Sequence, residues 1–437
     1  MTRPADVDPG SVELIDPEET GDLVTVSPAE QPRGIARFVL GASLVLIAFN
    51  LRPVFSSASA LLPEIRDGFG LSATGASLLT TLPVLCLGLF SPLAPRLART
   101  IGTERTLLAV AFLLALGTAA RGLSSVPLLF LGTALAGACI AVGNVLLPGL
   151  VKRDFPDKAA LLTGWYTMAL CAGAASAAGL TIPLQRALSG SIDGALAAWA
   201  VPALLVALLW LPQVLATGKR AKGDVYKVEG MWRDRLAWHV TLFMGLQSAL
   251  AYCVFGWLVP ILRARGLDGV TAGAIVSVSV MIQAASCLVA PHLAVRGRDQ
   301  RLINVALCLI ATGALLGLLF APLSTVWIWA VLQGIGQGGL IAVALTVIVL
   351  RTQDSHAAAQ LSGMAQCVGY TLAAIGPLIV GLVQSWTGGF AWSAALFVAL
   401  GLGAGVNGWF AGKAEVVSAR TVKVPRRDAL ANDAARG

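Results

Sequence analysis

ARFVLGASLVLIAFNLRPVFS, residues 36–56, decides the class of this chain. Apart from Arg37, Asn50, Arg52 and two serines it is apolar, and it is as long as a helix needs to be to cross a bilayer, about 20 residues. Eleven further runs of that kind follow, at 74–95, 105–123, 126–150, 159–182, 196–216, 238–262, 271–294, 302–321, 325–350, 358–383 and 391–412. The whole chain is 57% hydrophobic and 12% charged over 437 residues. A soluble chain carries roughly 25% charged residues, so the length does not stand for a string of soluble domains.

The net charge of +8 does not point to nucleic acid, because the basic residues sit in short segments between the apolar runs. With the amino terminus inside, 25 of the 31 lysines and arginines fall on the inner side. Five fall outside: Arg66, Arg121, Arg186, Arg263 and Arg265. That bias orients the chain with both termini cytoplasmic and requires an even number of spans. A multi-pass protein of the plasma membrane is expected, acting as a monomer, with the lipid bilayer and a small solute as its only partners.

The polar stretches divide the chain. Residues 1–35 are acidic, with Asp6, Asp8, Glu13, Asp16, Glu18, Glu19, Asp22 and Glu30 against Arg3. They lack the basic start and apolar core of a signal peptide and are expected to be a disordered cytoplasmic tail. A first six-helix bundle is expected over 36–216, a cytoplasmic linker over 217–237, a second bundle over 238–412 and a basic cytoplasmic tail over 413–437. Seven cysteines lie inside apolar runs without a C-x-x-C pair, which predicts buried small side chains, with no disulfide, metal or cofactor.

The two bundles read as a duplication. APRLA at 94–98 matches APHLA at 290–294, and at the same offset Arg105 falls on Arg301 and Gly117 on Gly313. LTG at 162–164 matches LSG at 361–363 at a nearly equal offset, which also places Lys152 on Arg351. Two parallel repeats of six spans describe the major facilitator architecture. The fold class is therefore an all-α membrane protein of twelve transmembrane helices in two parallel six-helix repeats.

NLRP at 50–53, LLPEIRDGFGLS at 61–72 and APRLARTIGTER at 94–105 carry a closer likeness. Residues 49–108 resemble the cyanate/2-nitroimidazole permease branch of the major facilitator superfamily. The resemblance implies alternating-access transport of small solutes. It also implies a gating loop at 94–105, in which Arg99, Gly102 and Arg105 match the superfamily motif while Ala98 stands where that motif has an acid. The acid of the usual charge relay is thus missing from its place.

Arg52 is the most informative residue, because guanidinium does not lose its proton in proteins. At mid-membrane it costs about 2.5–3.5 kcal/mol on insertion scales, and no run holds a central carboxylate to neutralise it. It either faces a central cavity and attracts an anionic or polar solute, snorkels to the outer headgroups, or pairs with Glu64 or Asp67. Pro53 favours a kink beside it. Asn50, Asn144, Tyr166, Gln247, Tyr252, Gln283, Gln337, Gln366 and Tyr370 are the other polar residues at span depth. They are candidate solute contacts, or else ordinary interhelical hydrogen bonds. Three histidines, at the inner ends of spans and in a loop, make no relay.

The reading is a secondary transporter of a small polar or anionic solute, cyanate-, nitrite- or nitroimidazole-like, and not an enzyme. A multidrug/proton antiporter is the alternative, weakened by the missing membrane acid, and a membrane-embedded sensor or enzyme is a third. Gly334, Gly336 and Gly339 spell G-x-G-x-x-G inside a span with no strand before it, so no dinucleotide site is expected. The orientation is testable with alkaline phosphatase fusions. A fusion after Gly190 is expected to be active and one after Gly230 silent; the reverse result would overturn it.

Overall fold

The structure, a computed structural model, describes residues 35–155, 158–216, 225–353 and 355–424. The acidic segment to residue 34, and the tail from 425 on, lie outside the described residues. Among the described residues, twelve helical stretches are long and apolar enough to cross a membrane. In lipid a backbone must satisfy its own hydrogen bonds, which makes each apolar run a helix.

Span 1 is α1 (Ile35–Asn50) continued by α2 (Pro53–Ala60), and the short α3 (Leu62–Gly68) caps it. Span 2 is α4 (Ala73–Phe90), followed by α5 (Leu93–Ile101). Spans 3, 4 and 5 are α6 (Thr103–Ala120), α7 (Val126–Asp154) and α8 (Ala159–Ala187). Span 6 joins α9 (Ile192–Ala198) to α10 (Ala200–Ala216). Spans 7 to 10 are α11 (Arg235–Ala264), α12 (Gly269–Arg296), α13 (Arg301–Phe320) and α14 (Val326–Leu350). Span 11 is α15 (Ser355–Ala373) with α16 (Ile375–Thr387), and span 12 is α17 (Ser393–Ala411).

The packing partners recur six spans on. In the first half span 4 packs on spans 2 and 3, span 3 on span 6, and span 1 on span 5. In the second half span 10 packs on 8 and 9, span 9 on 12, and span 7 on 11. The sequence repeat thus has its counterpart in three dimensions. The seven cysteines are free; six are buried and Cys367 is half-buried.

The halves meet along α4 with α15 and α16, α8 with α12, and α2 with α11. Small residues make this seam tight. A Cβ placed on Gly273 of α12 would lie 2.3 Å from the carbonyl oxygen of Ala178 on α8. Ser277, one turn on, donates to the Ala175 carbonyl at 2.7 Å. Towards the side that the charge bias makes the outer one, Arg263 of α11 grips Glu64 of α3 through two hydrogen bonds of 2.8 Å. A bidentate guanidinium–carboxylate pair is the strong, directional form of a salt bridge.

On the opposite side the chain forms a small ribbon. Strand β1 (Val225–Glu229) pairs antiparallel with β2 (Arg420–Val424), Lys227 opposite Val422. Asp234 caps α11 at the Ala237 amide (2.9 Å) and accepts from the Ser418 amide (2.7 Å). Arg351 is buried and donates to the carbonyls of Ala411 (2.9 Å) and Gly412 (3.1 Å) at the end of α17, where a cation is favoured. Gly273→Val would force the Ala178 backbone aside, and overpacking of this kind costs about 1–3 kcal/mol. A melting temperature lowered by several degrees, read by tryptophan fluorescence, is expected; an unchanged one would mean that the seam yields freely.

Candidate functional site

Span 1 breaks where Pro53 enters. Helix α1 ends at Asn50, Leu51 and Arg52 form a turn, and Pro53 is the first residue of α2. Proline has no amide hydrogen and crowds the carbonyl four residues back, so the helix cannot run through. That carbonyl, of Phe49, lies against Gly173 of α8. The break leaves Arg52 at the amino end of α2, which adds the partial positive charge of a helix start to that of the guanidinium.

Arg52 lines a cavity of about 50 Å3 between the halves, with Thr167, Leu170 and Cys171 of α8, Tyr252 and Phe255 of α11, and Gln283 of α12 among its walls. Its Nη1 donates to the Tyr252 hydroxyl at 3.3 Å. Its guanidinium carbon stands 5.8 Å from the Tyr252 ring centre and 5.6 Å from that of Phe255, within cation–π range. Tyr370 of α15 meets Tyr252 edge-on at 6.0 Å and also lines the cavity.

Arg52 therefore neither pairs with Glu64 nor reaches Asp67. Glu64 is taken by Arg263, and Asp67 lines a separate cavity of about 360 Å3 with Arg66, Arg263, Trp257 and Phe390. Among the described residues no carboxylate forms an ion pair with Arg52. The cavity has room for a few water molecules or a solute of a few atoms in this conformation. Of its walls, only Arg52 is charged.

The other sequence candidates divide. Tyr252, Gln283 and Tyr370 line the cavity with Arg52. Tyr166 lies close by, while its neighbour Thr167 is the residue at the wall. Gln247 and Gln337 face each other instead: Gln337 Nε2 donates to Gln247 Oε1 at 3.2 Å, and Gln247 Nε2 donates to Ser248 at 2.9 Å. Both are buried and clamp α11 to α14. Asn50 donates to the Leu46 carbonyl of its own helix (2.9 Å), and Gln366 to Ser362 (3.0 Å). Asn144 is half-buried on α7 and is not at the cavity wall. Sequence reasoning passed over Ser248, Thr167 and Phe255. Phe255 had a signal, since it follows Tyr252 by one helical turn.

The loop at 94–105 also differs from its motif. Arg99 and Arg105 are exposed. Gly102 makes the turn from α5 to α6 at φ +93°, a conformation that side chains rarely accept. An acid at another place in the loop, Glu104, is buried at the start of α6 and accepts from Arg153 of α7 at 2.7 Å while Asp154 takes the same guanidinium. Trp210 of α10 donates to the Glu104 carbonyl at 3.0 Å. The network ties three helices of the first half. It was not read from sequence because Glu104 and Arg153 looked like ordinary flanking charges. His239 is bound to Asn407 (3.0 Å) and His292 to its own helix, so these two make no pair.

Comparison with known proteins gives the family. A profile of the Major Facilitator Superfamily matches residues 38–331. The 2-nitroimidazole transporter of Escherichia coli (strain K12) is 42% identical over 366 residues, 83% of this chain and 92% of that protein. The uncharacterized transporter YycB of Bacillus subtilis (strain 168) is 40% identical, over 82% of this chain and 91% of its own length. The cyanate transport protein CynX of Escherichia coli (strain K12) is 27% identical, over 79% and 90%. Among solved structures, a bacterial homologue of the lysosomal transporter Spinster in an inward-facing, unoccupied conformation superposes with a TM-score of 0.70 at 15% identity, covering 87% of this chain and 98% of that one. A D-xylose–proton symporter superposes at 0.67 with 12% identity, covering 87% and 98%. The chain belongs to the major facilitator superfamily, as a small-solute membrane transporter, not an enzyme, in the branch of its 2-nitroimidazole and cyanate relatives.

Proposed function

We propose that this transporter carries a small planar anion or a small nitroaromatic such as a nitroimidazole, docked on Arg52. The observation that carries the reading is a permanent cation in the cavity wall, held by π faces and a phenol rather than by a carboxylate. Rings steady the cation without neutralising it, so its remaining donors are left for a solute. Gln283 adds an amide that can orient a nitro or carboxylate group. The names of the relatives, a 2-nitroimidazole transporter and a cyanate transport protein, support the same solute class.

Transport follows by alternating access. Arg52 comes from the first half; Tyr252, Phe255 and Gln283 come from the second. The Glu64–Arg263 pair and the Gly273–Ala178 contact close the outer side in this conformation. Parting of the halves there would open the cavity outward.

In proteoliposomes, Arg52→Ala is expected to abolish uptake of labelled 2-nitroimidazole and cyanate while the protein still inserts. Arg52→Lys keeps the charge but loses the planar fork, and a fall of about tenfold or more is expected. Wild-type uptake by Arg52→Ala would reject the site.

No membrane carboxylate lies in the cavity wall, and arginine does not titrate near neutral pH. Uptake is therefore expected to be unaltered by a protonophore when the membrane potential is clamped. It is also expected to be flat from about pH 6 to 8, except for ionisation of the solute itself. Collapse of uptake under the clamp would show that a proton is co-transported.

A further inference from the structure

A second arginine lies deeper than the first. Arg121 ends α6 and was expected among the exposed charges of the outer side, yet its residue has no exposed surface at all. Its stem passes Gly132 of α7, where an added Cβ would lie 3.2 Å from the Arg121 Cγ. Its guanidinium reaches α2, where Nη1 makes a long hydrogen bond of 3.4 Å to the Ser57 hydroxyl. Nε and Nη2 are buried and have no partner.

Those two atoms are the same edge of the guanidinium. Their N–H bonds run parallel and make the fork that takes a carboxylate, a nitrate or a halide side-on. Arginine cannot shed its charge to escape burial, and a buried charge requires a counter-charge. Among the described residues none is supplied by a carboxylate. Asp193, on the neighbouring α9, accepts from the Ser124 hydroxyl through Oδ2. Its Oδ1 is buried without a hydrogen-bond partner, and it makes no ion pair with Arg121. The site is separate from the cavity, since the rings that hold Arg52 belong to α11 and Arg121 lies among α2, α6 and α7.

We propose that Arg121 holds a resident small monovalent anion, halide or nitrate, between α2, α6 and α7. Bound there, the anion completes the first half and ties α2, whose amino end carries Arg52, to spans 3 and 4. The chemistry asks for one negative charge and little bulk, which excludes phosphate esters and carboxylated metabolites.

The test is thermal unfolding of the purified full-length protein, followed by tryptophan fluorescence at constant ionic strength. Gluconate is replaced stepwise by chloride, bromide or nitrate. A ligand bound only to the folded state raises the melting temperature with its concentration, so a saturable rise is expected. The rise should persist in Arg52→Gln. It should vanish in Arg121→Met, and Arg121→Lys should need at least about tenfold more bromide, because lysine lacks the two-donor edge. Equal melting in gluconate and bromide for the wild type would overturn the proposal and leave water as the occupant. So would a response lost in Arg52→Gln and kept in Arg121→Met, which would place the ion in the central cavity. If Arg121→Met does not fold, the Arg52→Gln protein and Arg121→Lys decide by the same readings.

Discussion

A guanidinium that keeps its proton under all physiological conditions, set in a wall of aromatic rings, is the constraint on which the central part of this protein depends. Burying an ion costs on the order of several kcal/mol even after relaxation, so the surroundings of Arg52 must repay it. Among the described residues they do so without an acid. The Pro53 break presents the side chain at a helix start, and Tyr252 and Phe255 supply electron-rich faces. A carboxylate in their place would neutralise the cation. The rings leave the field in force.

With a solute docked on Arg52 as proposed, the same arrangement would couple binding to geometry. The cation is carried by one half and its rings by the other, so any relative movement of the halves changes how strongly the charge is screened. Electrostatics inside a low-dielectric wall is steeper than in water, and small displacements therefore matter. On the proposed docking, a solute that took over part of the screening would alter the balance between arrangements of the halves.

How much of this was legible in the sequence follows from the physics of each feature. The twelve helices were legible because lipid allows a long apolar run no other regular form. Arg52 was legible because a charge inside such a run has few explanations. The amides were not: a span that is apolar all round does not reveal which face meets its neighbour. Gln247 and Gln337 therefore looked like cavity residues, although they bind each other. Arg121 sat at the end of a run, where loop counting assigns a charge to water, and only the path of its stem over Gly132 shows otherwise. The β1–β2 ribbon joins segments almost two hundred residues apart, and nothing local to either strand names its partner.

That ribbon has a mechanical consequence. By pairing with the segment that follows α17, it fastens the start of the second bundle to its own end. Helix α10 ends at Ala216 and the ribbon begins at Val225, nine residues on. Fully extended, nine peptide steps reach about 30 Å. The chain thus carries its own leash, of fixed length, on how far the end of α10 and the ribbon can draw apart.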